Sequence, residues 1–208
     1  MVKFIERADV ECTSKEQALQ HLEYLIGTDF KEKGVLFDAA MHGKGDGFIL
    51  EIGADMGQSA IPMAIASKMA GREKVFSIDI DRGRPDNFFE RNSQWQSGAS
   101  RWKKFIQTLV LCGVEDWVIP IGCDSMDAWQ FLNLQLRLLY VDGNHDRPHT
   151  DNDILKYSEK LISGGLIFVH DYHEEETGTY NSVNEHIRDS SAFWDFHVVG
   201  ILACAKKV

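Results

Sequence analysis

One short stretch, residues 48–59, constrains the fold of this chain more than any other segment. It begins with the apolar and β-branched residues that are typical of a buried parallel strand. Gly53 and Gly57 then interrupt the strand, and a largely apolar helix follows. Ser59 is placed to cap that helix, and Pro62 falls within its first turn, where a missing N–H is tolerated. A strand, a glycine turn and a helix N-terminus together place free backbone N–H groups beside an open crevice.

Composition limits the classes of protein to which this chain can belong. A chain of 208 residues with 44% hydrophobic content buries one core, so we expect a single domain over residues 1–208. The net charge of -10 argues against sequence-independent binding to nucleic acid or to an anionic membrane, since both need a cationic face. The basic cluster at residues 101–104 is interpreted as a solvated helix face.

Cysteine usage and the N-terminal sequence indicate the cytoplasm. The four cysteines, Cys12, Cys112, Cys123 and Cys204, form no Cys-x-x-Cys pair and no zinc-type spacing, so they are interpreted as reduced thiols. The first residues lack the apolar core of a signal peptide, and no apolar run approaches the length of a membrane span.

Strand and helix patterns alternate along the chain, which predicts a parallel sheet with helices on both faces. Helical patterns at residues 14–26 and 30–41 form an N-terminal extension over 1–42, and residues 43–208 form the core. Only Gly200 separates the last two strand patterns, which predicts an antiparallel hairpin. The expected fold is therefore α/β, a doubly wound, seven-stranded, mostly parallel sheet with a C-terminal antiparallel hairpin. The seven predicted strands are 48–52, 74–79, 117–122, 136–142, 166–171, 194–199 and 201–206. Further helices are predicted at 101–111, 150–163 and 180–190.

Polar residues follow the predicted strands at their carboxyl ends, where ligands bind in an open parallel sheet. Asp79 closes the second strand, where it either accepts hydrogen bonds from a ribose or caps a helix, and Asp81 is a weaker alternative for the ribose. Asp124 and Ser125 follow the third strand and either border a bound ligand or cap the next helix.

Two further pairs, Asp142 with His145 and His170 with Asp171, follow the fourth and fifth strands. Carboxylates at neighbouring strand ends can hold Mg²⁺ and leave sites open for a substrate's oxygens. Neutral imidazole suits proton removal from a hydroxyl near pH 7, so His145 and His170 are candidate general bases, with Asp142 paired to His145.

These segments together resemble a known family. The run Asp142-Gly-Asn144-His145 and the later Gly-Gly and His170-Asp171-Tyr172 resemble the family-24 type of class I S-adenosylmethionine-dependent methyltransferase. The family pattern is Asp-Gly-Asp-His-Ser-Tyr, then Pro-Gly-Gly and (His/Asp)-Asp-Tyr, and the Glu-x-Gly-x-x-x-Gly stretch resembles its motif I. The likeness covers residues 35–206. The departures are Asn144 for the second Asp, Asp146-Arg147 for Ser-Tyr, and Ser163 for Pro.

The resemblance implies S-adenosylmethionine as cofactor. It places Glu51, Gly53, Ala54, Gly57 and Ser59 at the methionine part, although glycines needed only for a tight turn are the alternative. It places Asp79 on the ribose, and Asp124 and Ser125 beside the adenine. The alternative to a metal held by Asp142 and Asp171 is that one of these carboxylates faces the sulfonium and the other caps a helix. Related macrocin-type and catechol-type O-methyltransferases carry divalent-metal ligands at the positions of Asp142 and Asp171.

The expected function is therefore O-methylation of a small polar acceptor such as a sugar. A cofactor-binding module without activity is one alternative. A nicotinamide-dependent oxidoreductase is another, but it needs the shorter Gly-x-Gly-x-x-Gly spacing. The N-terminal helix at residues 14–26 and the aromatic segment at residues 88–102 lie outside the standard core, so we expect them to cover the cofactor cleft or a second subunit of a homodimer.

Overall fold

The fold is known from a computed structural model, which describes residues 14–26, 32–80 and 101–208. Seven strands form one sheet in the order β3-β2-β1-β4-β5-β7-β6, where strands are numbered along the chain. The pairs among β1 to β5 are parallel, and β7 pairs antiparallel with both β5 and β6. The predicted seven-stranded, mostly parallel sheet with a C-terminal hairpin is confirmed.

Helices cover both faces of this sheet, and two apolar clusters form the core. Chain order reverses between β1 and β4, so a crevice opens beyond the carboxyl ends of these two strands. The elements are α1 (Lys15–Ile26), α2 (Lys33–His42), β1 (Phe48–Ile52), α3 (Ala60–Ala70), β2 (Val75–Asp79), α4 (Arg101–Leu111), β3 (Val118–Gly122), α5 (Ser125–Ala128), β4 (Leu136–Val141), α6 (Arg147–Ser158), β5 (Leu161–Val169), α7 (Thr177–Val183) with a π-helical turn (Asn184–Arg188), β6 (Phe193–Val199) and β7 (Leu202–Lys207).

The largest error in the predicted elements concerns residues 150–163. Helix α6 begins earlier, at Arg147, and it ends at Ser158 instead of continuing to the glycine pair. Those glycines lie inside β5, where the partners of Leu136 and Leu138 are five positions apart instead of two. The extra residues form a bulge, and Gly164 adopts the φ of +77° that such a bulge requires. The hairpin loop also holds two residues, Gly200 and Ile201, and not Gly200 alone.

Both N-terminal helices pack into the core of this chain, whereas the helix at residues 14–26 was expected to cover the cleft or a second subunit. Ala18 of α1, and Leu36 and Phe37 of α2, are fully buried in the apolar cluster that includes α3. Residues 88–100 and Asp81 lie outside the described residues. The homodimer therefore stays a prediction, and it loses the part of its argument that came from α1.

Arg137 is a charged residue within the core strand β4, and its side chain is fully buried. Its guanidinium forms an ion pair with Glu73 and donates to the carbonyl oxygens of Ala39 and Ala40 at the end of α2. A cation suits this position because carbonyls at a helix C-terminus lack intrahelical partners and carry partial negative charge. Arg137 thus ties α2 to the sheet.

Two smaller findings bear on the class of protein. The three cysteines in the described part of the chain, Cys112, Cys123 and Cys204, carry free thiols. Within the same residues, no helix combines the length and the apolar character that crossing a membrane requires.

Candidate active site

A cavity of about 820 Å³ opens at the carboxyl ends of β1 to β5. This is the position in which open parallel sheets bind ligands, and the volume suits a ligand of nucleotide size. The strand ends bring most of the predicted polar residues together here. The cavity is lined by Ile52, Gly53, Asp55, Ile78, Asp79, Ile80, Cys123, Asp124, Ser125, Asp142, Gly143, Asn144, His145, Asp146, His149, His170 and Asp171.

The glycine turn after β1 lies directly against the end of β4. Gly53 has a φ of +93°, and a Cβ atom there would lie 2.0 Å from the carbonyl oxygen of Asp142. Glycine is therefore required both by backbone conformation and by space. Gly57 lies deeper, where an added Cβ would meet Ile61 and Phe105 at 3.0 Å. The turn thus holds the ends of β1 and β4 close together.

Two other residues predicted to bind the cofactor, Glu51 and Ser59, lie beneath the turn. Glu51 is completely buried, and it accepts hydrogen bonds from the hydroxyls of Ser59 and Ser77. The predicted capping of α3 by the Ser59 side chain is therefore wrong, because that hydroxyl is engaged with Glu51. Ala54 is also buried, so these three side chains support the turn from inside instead of lining the cavity.

Burial raises the pKa of Glu51 to about 8, against the opposing hydrogen bonds from Ser59 and Ser77. From about pH 4.5 to 8, the folded protein keeps a proton that the unfolded chain has lost. The free energy of unfolding should therefore fall as pH rises through this window.

Glu51→Gln should flatten this pH dependence, because the amide reproduces the neutral carboxylic acid. The slopes of the two proteins should differ by up to about 1.4 kcal/mol per pH unit. Urea unfolding near pH 5 and near pH 7.5 measures both slopes. The exposed Glu159→Gln is the control and should behave as wild type. Parallel curves for wild type and Glu51→Gln would rule out a neutral Glu51.

Asp79 ends β2 on one side of the cavity. Its Oδ2 accepts a hydrogen bond of 2.9 Å from the backbone N–H of Asp55 in the glycine turn, so the carboxylate is held at the junction of β1 and β2. Asp124 caps α5, since its Oδ1 accepts from the N–H of Met126 at 2.9 Å. The capping alternative for Asp124 is thus present, while Asp124 and Ser125 still line the cavity.

Two histidines and two aspartates meet at the other side, where β4 and β5 end. His145 Nε2 lies 3.2 Å from Asp171 Oδ2 and 3.8 Å from Asp142 Oδ1. His170 Nδ1 lies 3.4 Å from an oxygen of each of the same carboxylates. All four groups that the sequence placed after these strands are therefore in one cluster. Asp171 adopts a φ of +52°, a conformation that costs a non-glycine residue about 1–3 kcal/mol and often marks a functional site.

The charges in this cluster balance each other. Burial disfavours the charged ring of His170, but its contacts with Asp142 and Asp171 outweigh burial and raise its pKa to about 10. The pKa of His145 is also raised, first by Asp142 and further by the negative charges of Asp171 and Glu176. Although burial opposes ionisation of the two aspartates, the histidines lower their pKa values. The neighbouring carboxylates therefore favour the charged form of both rings, and the general-base roles of His145 and His170 stay predictions.

Two residues of the cluster were not foreseen. Glu176 ends the acidic run at residues 174–176, and its Oε2 lies 3.3 Å from His145 Nδ1. Gly178 allows this approach, because a Cβ there would lie 2.0 Å from the His145 carbonyl oxygen. Tyr140 donates a hydrogen bond of 3.0 Å to Asp142 Oδ2. Tyr140 and Asp142 are two residues apart, and residues at this spacing share one face of a strand. The sequence therefore contained the information that predicts this contact.

Comparison with known proteins agrees with this arrangement. Residues 50–172 match the model of a methyltransferase-domain family, methyltransferase family 24, and this match spans more than half of the chain. The chain therefore belongs to this family of class I S-adenosylmethionine-dependent methyltransferases, and the nicotinamide-dependent alternative is rejected. A search of curated proteins finds no match to the chain.

Solved structures share the fold at low sequence identity. The methyltransferase TomG from Streptomyces achromogenes, solved with S-adenosylmethionine, is 16% identical, with a TM-score of 0.63 and coverage of 96% of this chain and 91% of TomG. Cofactor-bound Rv0187 from MTB is 16% identical, with a TM-score of 0.64 and coverage of 92% and 88%. CalS11, a TDP-rhamnose 3'-O-methyltransferase of calicheamicin biosynthesis, is 12% identical, with a TM-score of 0.61 and coverage of 97% and 98%.

Proposed function

We propose that this protein transfers the methyl group of S-adenosylmethionine to a hydroxyl oxygen of a small polar acceptor such as a sugar. The acceptor oxygen attacks the methyl carbon, the carbon–sulfur bond breaks, and S-adenosylhomocysteine leaves. The hydroxyl proton passes to a base. The observation that carries this proposal is His145, whose ring lies between carboxylates at the edge of the cavity.

The cofactor would occupy the side of the cavity formed by β1, β2 and β3. Asp79 would accept hydrogen bonds from the ribose, while Asp124 and Ser125 would border the adenine. The backbone at Gly53 would approach the methionine part, since no side chain intervenes there. The sulfonium would then face Asp142, whose negative charge favours a cation. TomG, which shares the fold, was solved with S-adenosylmethionine bound, and this supports the cofactor assignment.

The acceptor would occupy the side formed by β4 and β5. Here His145 would remove the hydroxyl proton, and Glu176 would orient its ring through Nδ1. TomG and CalS11 are named as O-methyltransferases, and CalS11 acts on a TDP-linked sugar. Their names support oxygen as the accepting atom, and the polar lining of the cavity suits a hydroxylated molecule.

A divalent cation is compatible with the same residues. Asp142, His170 and Asp171 each place one potential donor atom within 4.8 Å of the others. His170 would have to release its proton before its nitrogen could bind an ion. When bound, such an ion supplies Lewis-acid polarisation of the acceptor's oxygens. Asp142 and Asp171 would hold the ion, and His145 would remain the residue that takes the proton.

Transfer of a labelled methyl group to an acceptor tests the proposal. The protein is incubated with S-adenosylmethionine labelled in the methyl group and a panel of free and nucleotide-linked sugars and phenols, with and without Mn²⁺ or Mg²⁺. We expect label to move to an oxygen of at least one hydroxylated acceptor. Cofactor binding without transfer to any member of the panel would favour the alternative of a catalytically silent module. Label found on nitrogen or carbon would contradict O-methylation.

Asp79→Ala should weaken binding of S-adenosylhomocysteine. Hydrogen bonds to a charged acceptor are worth about 1.5–3 kcal/mol, which corresponds to a loss of roughly 10- to 150-fold in affinity. Titration calorimetry measures the change, and Asp116→Ala, in the loop between α4 and β3, is the control. Unchanged affinity in Asp79→Ala would remove Asp79 from the cofactor site.

A further inference from the structure

We infer that Asp153 of α6 is a positioning residue of the cofactor site. Its carboxylate accepts a hydrogen bond from the Ser125 hydroxyl, so that the Ser125 oxygen can only accept from the ligand and selects the exocyclic amino group of adenine. This inference rests on the proposed function, because it requires adenine to lie beside Ser125. It deepens that function by assigning the contact that distinguishes adenine from a purine with a carbonyl oxygen in place of the amino group.

The buried face of α6 holds two loops that border the cavity. Thr150 Oγ1 donates to the carbonyl oxygen of Asn144, in the loop after β4, at 2.9 Å. The Tyr157 hydroxyl donates to the carbonyl oxygen of Ser125, after β3, at 2.5 Å. Asp153 lies three residues after Thr150 and four before Tyr157, and all three are buried, so they share one face of the helix. Helix α6 therefore brings a carboxyl group to the loops that it holds.

Asp153 is a buried acid that lacks hydrogen-bond donors. Its side chain belongs to a residue that is only 1% exposed, and its Oδ1 has no hydrogen-bond partner among the described residues. Burial raises the pKa of Asp153 to about 6, and the Ser125 side chain gives the largest of the contacts that lower this pKa. A group that favours the charged form of a carboxyl does so by donating to it. Near pH 8 the carboxylate is therefore mostly ionised and holds the Ser125 proton.

Asp153 reaches the ligand through Ser125 because it does not itself line the cavity. Gly143 does line the cavity, and a Cβ atom there would lie 3.2 Å from Asp153 Oδ2, so the acid lies behind this part of the wall. Ser125 lines the cavity as well as contacting Asp153. Its hydroxyl is thus the group that connects the buried acid with the ligand.

The number of protons on each group decides what Ser125 can recognise. A serine hydroxyl has one proton and two lone pairs, and a carboxylate has only acceptors. Once the proton is directed to Asp153, only lone pairs face the ligand. The amino group of adenine is a donor and fits this arrangement, whereas a carbonyl oxygen in its place would meet another acceptor. A site built to pair with an N–H group rejects an analogue that lacks it.

The test compares two ligands of the full chain by titration calorimetry near pH 8. These are S-adenosylhomocysteine and its inosine analogue, in which a carbonyl oxygen replaces the amino group. The variants are Ser125→Ala, Asp153→Leu, which keeps a similar volume without an acceptor, and the double variant. Asp153→Ala is the second substitution at this position, and thermal unfolding checks that each variant folds. Asp151→Leu, on the same helix but outside the cavity lining, is the matched control.

Wild type should bind S-adenosylhomocysteine about 10- to 100-fold more tightly than the inosine analogue, as for a polar group left unpaired in a buried site. This preference should fall by about tenfold in Ser125→Ala and in Asp153→Leu. The double variant should match Ser125→Ala, because Asp153 acts only through Ser125. Asp151→Leu should keep the preference of wild type, since a general loss of stability affects both ligands equally.

A wild-type protein without preference, or a preference that survives in both Asp153 variants, would overturn the role of Asp153. A preference that survives in Ser125→Ala would assign the amino group to another acceptor, such as Asp124, and would also overturn the inference. If S-adenosylhomocysteine does not bind to wild type, the cofactor assignment of the proposed function fails as well. Binding of both ligands with equal affinity rejects this inference alone and leaves the proposed function standing.

Discussion

His145→Ala should lower turnover by about 10²- to 10⁴-fold, the range that a positioned base contributes to proton transfer. The variant should still bind S-adenosylmethionine, because His145 belongs to the acceptor side of the cavity and not to the cofactor side. The ring is held on both nitrogens, with Asp171 at 3.2 Å from Nε2 and Glu176 at 3.3 Å from Nδ1. Transfer of the labelled methyl group under saturating cofactor measures the loss.

Glu176→Gln distinguishes the role of His145 as the base from the role of Glu176 in orienting its ring. If Glu176 only orients the ring, its amide variant should retain more activity than His145→Ala and lower kcat with little change in KM for the cofactor. His173→Ala, in the same loop, is a matched control. Full activity in both His145→Ala and Asp142→Ala would move the reaction centre away from this cluster.

Arg137→Met should destabilise the fold by about 3–5 kcal/mol, the usual cost of breaking a buried ion pair by removing one partner. The change leaves the Ala39 and Ala40 carbonyls without the guanidinium that they contact. It also leaves the Glu73 carboxylate, only 16% exposed, with the more distant Arg72, whose Nε lies 3.4 Å from Oε2. Chemical denaturation measures the free energy of unfolding for both proteins.

Arg72→Met is the control for this effect. Arg72 also binds backbone carbonyls after α2, those of Gly43 at 2.6 Å and Gly45 at 2.8 Å, but its side chain is 22% exposed. Its loss should cost only about 1 kcal/mol, because water can reach this partly exposed position and replace the lost contacts. Equal destabilisation by the two substitutions would show that removing the buried Arg137 costs no more stability than removing the more exposed Arg72.

Residues at strand ends were predictable from sequence because the sheet itself positions them. Asp79, Asp124, Asp142 and Asp171 each follow an apolar strand, and parallel strands bring their carboxyl ends to one edge. The local sequence pattern was therefore enough to predict these strand-end carboxylates and the order of the elements.

Contacts between distant segments were not predictable in this way. Glu176 reaches His145 only because Gly178 lets α7 pack against that backbone. Arg137 finds its two carbonyl partners 97 and 98 residues away in sequence, and Glu73 lies 64 residues away. Ser59 has the sequence of a helix cap, yet the buried Glu51 competes for its hydroxyl. The bulge in β5 was missed because its glycine pair looks like a helix stop when pairing with β4 is unknown.

Binding of S-adenosylhomocysteine to the wild-type protein tests the central claim most directly. Titration calorimetry should find one site per chain, and NAD should give no heat at the same concentrations, since the glycine turn lacks the dinucleotide spacing. A crystal of the complex should place the adenosine beside Asp79 and Ser125 and the sulfur beside Asp142. Absence of S-adenosylhomocysteine binding, or binding of NAD in its place, would contradict the account.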